Sequence, residues 1–89
     1  MVYQLRILGK VQGVYYRAAM VEEALRLGVT GWVRNRLDGS VEAMACGTQA
    51  QLEQFTAWAK KGPPAAIVTD VVVASGEGEF IGFTQLPTL

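Results

Sequence analysis

Histidine is absent from this 89-residue chain, and cysteine occurs once, at Cys46. A disulfide framework needs paired cysteines and the usual zinc sites need sets of Cys and His, so both are excluded. Without a histidine to activate it, Cys46 reads as a small core side chain rather than a nucleophile. An excess of one charge is missing too: 8 Lys and Arg balance 8 Asp and Glu, and the largest basic run is the pair Lys60-Lys61. Nucleic acid and anionic membranes usually demand a basic field, so neither is expected as a partner. No acidic cluster offers a seat for Mg²⁺. No stretch is long and apolar enough to span a bilayer. The opening residues Met1 to Arg6 lack the charged start and long apolar run of a signal peptide. Internal repeats and low-complexity tracts are absent. What remains is a single domain over residues 1–89, with 51% hydrophobic residues to build one core. It is expected to be soluble, cytoplasmic and monomeric, without metal or cofactor.

The chain is organised around Gly9 to Arg17, reading Gly-Lys-Val-Gln-Gly-Val-Tyr-Tyr-Arg. Its two glycines allow a tight turn and close approach to a ligand. A helix is expected to start near Tyr15 or Tyr16, yet no Ser, Thr, Asp or Asn precedes it to cap it, and Gly13 is at best a weaker cap. The first N–H groups of a helix have no intrahelical partner. Water or a ligand must therefore satisfy most of them, and an anion suits the place because the N–H groups converge and the helix dipole favours negative charge. Arg17 adds a fixed fork of donors matched to phosphate or carboxylate. The plainer alternative is a glycine turn with a surface arginine.

The remaining elements follow from pattern. Val2 to Leu8 alternates, with Tyr3, Leu5 and Ile7 turned inward. From Arg17 to Leu27, Met20, Val21, Ala24 and Leu25 recur at helical spacing, and Gly28 stops the helix in a left-handed conformation. Val29 to Arg34 is a second strand, Asp38-Gly39 a tight hairpin, and Val41 to Cys46 a third strand. Thr48 and Gln51 form a capping-box pattern opening a second helix whose buried stripe is Leu52, Phe55, Trp58 and Ala59. Lys60 and Lys61 suit its C-terminal dipole, and Gly62-Pro63-Pro64 ends it. Ile67 to Ala74 is a fourth strand in which a β-bulge at Thr69-Asp70 would keep Val68, Val71 and Val73 on one face. Phe80 to Leu86 is expected as a short edge strand halted by Pro87.

The order βαββαβ plus a last strand predicts an α+β, ferredoxin-like sandwich: an antiparallel sheet with two helices on one face and an extra short C-terminal strand. Strands one and two then run parallel with strand three between them, so their C-terminal ends share one sheet edge. The glycine loop follows strand one and Asn35 follows strand two, roughly 10 Å apart. Asn35 can both donate and accept hydrogen bonds within reach of a ligand in the loop. By itself, an Asn before a hairpin is more often a turn former.

Two separated motifs resemble the signatures of the acylphosphatase family. Gly9 to Arg17 resembles the first. Gly31-Trp32-Val33-Arg34-Asn35, followed by Asp38-Gly39, Val41-Glu42 and Gly47, resembles the second, and Gly62-Pro63-Pro64 with Ala66 and Val68 is similar to the family's entry into its fourth strand. The resemblance implies the same βαββαβ fold and hydrolysis of a carboxyl–phosphate anhydride to a carboxylate and inorganic phosphate. It implies Arg17 as the phosphate-binding arginine and Asn35 as the holder of the attacking water. It implies a phosphate cradle in the backbone N–H groups of Gln12, Gly13, Val14, Tyr15, Tyr16 and Arg17. The tail Thr84 to Leu89 departs from the family's basic or aromatic ending, and Tyr16 stands where phenylalanine is frequent. Two rival classes keep the fold and change the function. One is a non-catalytic phosphate- or metabolite-binding domain. The other is an RNA-binding module, which needs aromatic residues on the central strands and a basic face; strand three, Val-Glu-Ala-Met-Ala-Cys, has neither.

Overall fold

The computed structural model describes residues 1–89. The elements run β1 (Val2–Lys10), α1 (Tyr16–Leu27), β2 (Thr30–Asn35), β3 (Val41–Cys46), α2 (Gln49–Lys61), β4 (Ile67–Ser75) and β5 (Phe83–Gln85). The sheet order is β4-β1-β3-β2-β5. The first four strands pair antiparallel, as the ferredoxin-like pattern requires, and β5 pairs parallel to β2, which makes the sheet mixed.

One face of the sheet is apolar because alternate residues point the same way. Leu5 and Ile7 of β1, Val33 of β2, Val41, Ala43 and Ala45 of β3 and Phe83 of β5 are buried there against Tyr16, Met20 and Ala24 of α1 and Leu52, Phe55 and Ala59 of α2. Burying a side chain of the size of Leu or Phe contributes about 1.5–3 kcal/mol, so this single cluster carries the fold. The opposite face is polar. Its centre is Glu42, whose carboxylate accepts from Gln4 Nε2 at 2.9 Å, Arg34 Nε at 2.9 Å and Arg36 Nη1 at 3.3 Å. The Arg34 guanidinium also lies over the Trp32 ring at 4.8 Å. Cys46 shares this far face and is half-buried, so it is not the core residue its small size suggested.

The helices differ at their starts. Thr48 and Gln51 complete the capping box of α2, with Thr48 N–H donating to Gln51 Oε1 at 2.8 Å and Gln51 N–H to Thr48 Oγ1 at 3.2 Å. The N-cap of α1 is Tyr15 rather than Gly13, with no side-chain capping bond. Gly28 closes α1 in the left-handed conformation as expected. The stripe of α1 that faces inward is Tyr16, Met20 and Ala24, whereas Leu25 is exposed. Trp58 is only partly buried.

The bulge in β4 is present: Leu8 pairs with Asp70 and Gly9 with Val68, leaving Thr69 as the extra residue. Val68 and Val71 pack on the core, but Val73 stays 40% exposed at the sheet edge. Gly9 is required there, since a Cβ would sit 2.1 Å from the Ile67 carbonyl oxygen. β1 thus continues to Lys10, and the loop proper is confined to residues 11–15. The final strand is three residues long, shorter than the expected Phe80 to Leu86, because Gly82 adopts φ +68° and turns the chain just before it pairs with β2. The hairpin expected at Asp38-Gly39 is present as a three-residue turn, Leu37 to Gly39, closed by Arg36 N–H to Ser40 O at 2.8 Å and Gly39 N–H to Arg36 O at 3.1 Å, with Gly39 at φ +92°.

Candidate active site

The sheet brings the end of β1 and the end of β2 to the same edge. Between them lies a cavity of about 170 Å³ lined by Val11, Gly13, Tyr15, Tyr16, Arg17, Ala18, Asn35 and Gln85. The two residues singled out for chemistry, Arg17 and Asn35, therefore meet in one hollow. Of the cradle residues, Gly13, Tyr15 and Tyr16 also line it, whereas Gln12 and Val14 do not. Val14 packs its side chain against the core. Tyr16 is buried, donates its hydroxyl to Ala59 O at 2.7 Å, and lies 5.4 Å from the Trp58 ring. Burial pushes its phenol well above the ordinary value of 10.0, so it stays neutral and structural.

The loop backbone has spare donors. The first N–H beyond residue 11 that donates to a backbone carbonyl is that of Ala19, to Tyr15 O at 3.1 Å. The N–H groups from Gln12 to Ala18 precede it, at the positive end of α1. Gly13 supplies the turn with φ +73°, and the space around its Cα is open. Tyr15 follows at φ 68° and is the one non-glycine residue of the chain with positive φ. Its hydroxyl donates to Glu22 Oε1 at 2.9 Å, and that carboxylate raises the phenol above its ordinary value.

Arg17 stands apart from the other arginines. Arg6 pairs with Asp38 at 3.4 Å, Arg26 with Glu23, and both Arg34 and Arg36 with Glu42. Arg17, partly buried, has no carboxylate within pairing distance. A permanently charged guanidinium at the cavity wall without an acid partner is available to an anion. Asn35 is unpartnered in a complementary way: its Oδ1 is buried and accepts no hydrogen bond. Buried side-chain acceptors are normally satisfied, so an orphan at a cavity wall calls for a donor from outside the chain. No three His, Cys, Asp or Glu side chains converge to hold a metal ion.

Two neighbours were not visible in the sequence. The Gln12 side chain turns away from the cavity and donates from one Nε2 to both Arg36 O at 2.8 Å and Ser40 O at 2.9 Å, tying the loop to the β2–β3 connection. Gln85 reaches the cavity only because β5 lies parallel beside β2. No local sequence signal marks either contact, since both join residues more than twenty positions apart. Lys10 is exposed at the end of β1 and does not line the cavity.

Comparison with known proteins bears on the whole chain and its fold. The acylphosphatase family model matches residues 3–84. An acylphosphatase of Cupriavidus necator is 60% identical over 81 residues, covering 91% of this chain and 88% of that protein. The crystal structure of acylphosphatase from Bacillus subtilis superposes with a TM-score of 0.90 at 35% identity, covering 97% of this chain and 99% of that one. An acylphosphatase structure from Coxiella burnetii gives 0.91 at 34% identity, covering 96% and 90%. Whole-length sequence likeness and whole-length structural likeness point the same way: the chain belongs to the acylphosphatase family of enzymes.

Proposed function

We propose that this protein hydrolyses acyl phosphates to a carboxylate and inorganic phosphate, with Arg17 and the loop N–H groups holding the phosphoryl group and Asn35 orienting the attacking water. The observation that carries this is the meeting of two unpartnered groups, the Arg17 guanidinium and the buried Asn35 Oδ1, at one cavity beside a loop of free N–H donors. Phosphoryl transfer is mainly positioning plus electrostatic stabilisation, and these groups divide that work. The N–H groups and Arg17 neutralise charge on the equatorial oxygens. Asn35 Oδ1 accepts a hydrogen bond from water and aims its oxygen at phosphorus. The new P–O bond forms as the bond between phosphorus and the acyl oxygen breaks. The electron pair leaves on the carboxylate, and the water's proton passes to a phosphoryl oxygen. A carboxylate is a good leaving group, so this scheme uses no metal, cofactor or covalent phospho-enzyme. The same reading has the protein acting as a monomer in the cytoplasm.

The deciding experiment is hydrolysis of acetyl and benzoyl phosphate with EDTA present. Turnover well above the spontaneous rate is expected for both. Binding of inorganic phosphate without turnover would identify a non-catalytic phosphate-binding domain instead. Activity lost only on adding EDTA would overturn the metal-free scheme.

A further inference from the structure

The largest hollow in the molecule is not the one that holds Arg17 and Asn35. It is a groove of about 840 Å³ between α1 and the turn after α2, with Ala19, Trp58, Pro63, Pro64 and Ala66 among its walls. One residue, Tyr15, lines both this groove and the smaller cavity. We infer that the groove receives the acyl group of the substrate, that Tyr15 is the wall between its phosphoryl and acyl halves, and that the enzyme favours apolar or aromatic acyl groups. This extends the hydrolase reading above and rests on it.

Direction comes first. In the sheet order β4-β1-β3-β2-β5, Asn35 on β2 and Gln85 on β5 lie to one side of the loop that follows β1. The turn through Pro63 and Pro64 leads into β4, on the other side. In-line displacement puts the attacking and leaving oxygens on opposite sides of phosphorus. Water held at Asn35 therefore directs the acyl group away from β2 and β5, across Tyr15 and toward the groove.

The chemistry of the walls comes second. An indole, two proline rings and two alanine methyls present apolar surface. The charges around them cancel: Arg26 is paired with Glu23, and Glu22 and Lys61 are of opposite sign. A charged acyl tail thus finds no net field, while an apolar one finds surface to bury. Tyr15 itself is 63% exposed, held in a left-handed conformation and tethered to Glu22. A non-glycine residue persists in that conformation only where its surroundings fix it, and such residues gather at ligand sites. Its ring contributes little to the core and is fixed at the junction of the two hollows.

The test fills the groove from a position outside the phosphate site. Ala19 lies on α1, lines the groove and does not line the smaller cavity. In Ala19→Phe, kcat/KM for benzoyl phosphate is expected to fall about tenfold through KM, while acetyl phosphate stays within about twofold. Inhibition by inorganic phosphate is expected to stay unchanged. Ala19→Leu, which a helix accepts readily, gives a smaller loss of the same kind. Parallel losses for both substrates, or no loss for either, in variants whose circular dichroism matches wild type, would overturn the groove while leaving hydrolysis standing. A wild-type protein that turns over neither substrate would overturn the hydrolase reading and the groove with it.

Discussion

Arg17 and Asn35 share a cavity; the proposed mechanism gives them different work, and substitution separates them. Asn35→Ala removes the water's acceptor and leaves the phosphate donors in place. We expect kcat to fall about a hundredfold, as for other lost transition-state contacts, with the inhibition constant of inorganic phosphate nearly unchanged. Arg17→Ala removes charge that acts on ground state and transition state alike, so phosphate inhibition weakens together with turnover. Normal phosphate inhibition in Arg17→Ala would remove Arg17 from the cradle. A third residue is expected to act through these two. Gln12 spans the loop and the β2–β3 connection with its 2.8 Å and 2.9 Å bonds. In Gln12→Leu the carbonyls of Arg36 and Ser40 lose that donor, and the loop is free to shift against Asn35. Since a displacement of about 1 Å can cost a hundredfold, we expect a fall of about tenfold or more in kcat with a smaller change in phosphate inhibition. That Arg17 and Asn35 meet at one cavity was legible because each sits in a recognisable motif at the same sheet edge. The use of Gln12 was not, because the same motif explains the residue through its backbone, and only the folded chain turns its amide toward Arg36.

At the scale of the element, the two helix starts form a contrast that mutation can measure. The N-terminus of α2 is closed by Thr48 and Gln51, far from the cavity. Thr48→Ala is expected to lower stability by about 1 kcal/mol, read by denaturant unfolding, without altering turnover. The N-terminus of α1 carries no side-chain cap, so its donors stay free for a ligand. Accordingly, inorganic phosphate should raise the melting temperature by binding only the folded state, and Arg17→Ala should blunt that rise. The legibility of elements tracks what fixes them. The capping box, the bulge at Thr69 and β3 were visible because local residue types determine them. The inward stripe of α1 was misplaced at Leu25 because a periodicity counted from Arg17 onward leaves out Tyr16, which starts the helix and turns its ring inward. Once Tyr16 anchors the stripe, Met20 and Ala24 follow at four-residue spacing and Leu25 falls outside. β5 was overextended because its limits depend on Gly82 and on which residues of β2 remain free to pair, here Gly31 to Val33.

Across the whole molecule, the polar face of the sheet sets the response to pH. Burial pushes the Glu42 carboxyl upward, but hydrogen bonds from Arg34 and Gln4 and the charges of Arg34 and Arg36 outweigh it and hold it below its ordinary value of 4.5. A carboxylate held low in the folded state releases its proton more readily there than in the unfolded chain. Its stabilisation is therefore fully present above about pH 4.5 and is lost as pH falls through the native value. Hydrogen bonds from Ser40 lower Asp38 in the same sense. At the alkaline end the sign reverses. The buried Tyr16 phenol resists ionisation, so its contribution holds below about pH 10 and fades as the unfolded phenol begins to ionise. With no histidine in the chain, no side chain of ordinary pKa titrates between about pH 5 and pH 8. The melting temperature should thus be nearly flat from about pH 5 to pH 8, falling on the acid side and, as tyrosine ionises, on the alkaline side. Glu42→Gln provides the control. At neutral pH it leaves Arg34 and Arg36 facing each other without a carboxylate and should cost about 1–3 kcal/mol. It should also flatten the acid limb, because the most buried of the carboxyls that titrate there is gone. An acid limb as steep in Glu42→Gln as in wild type would mean that other carboxylates, and not the centre of this sheet face, govern acid unfolding.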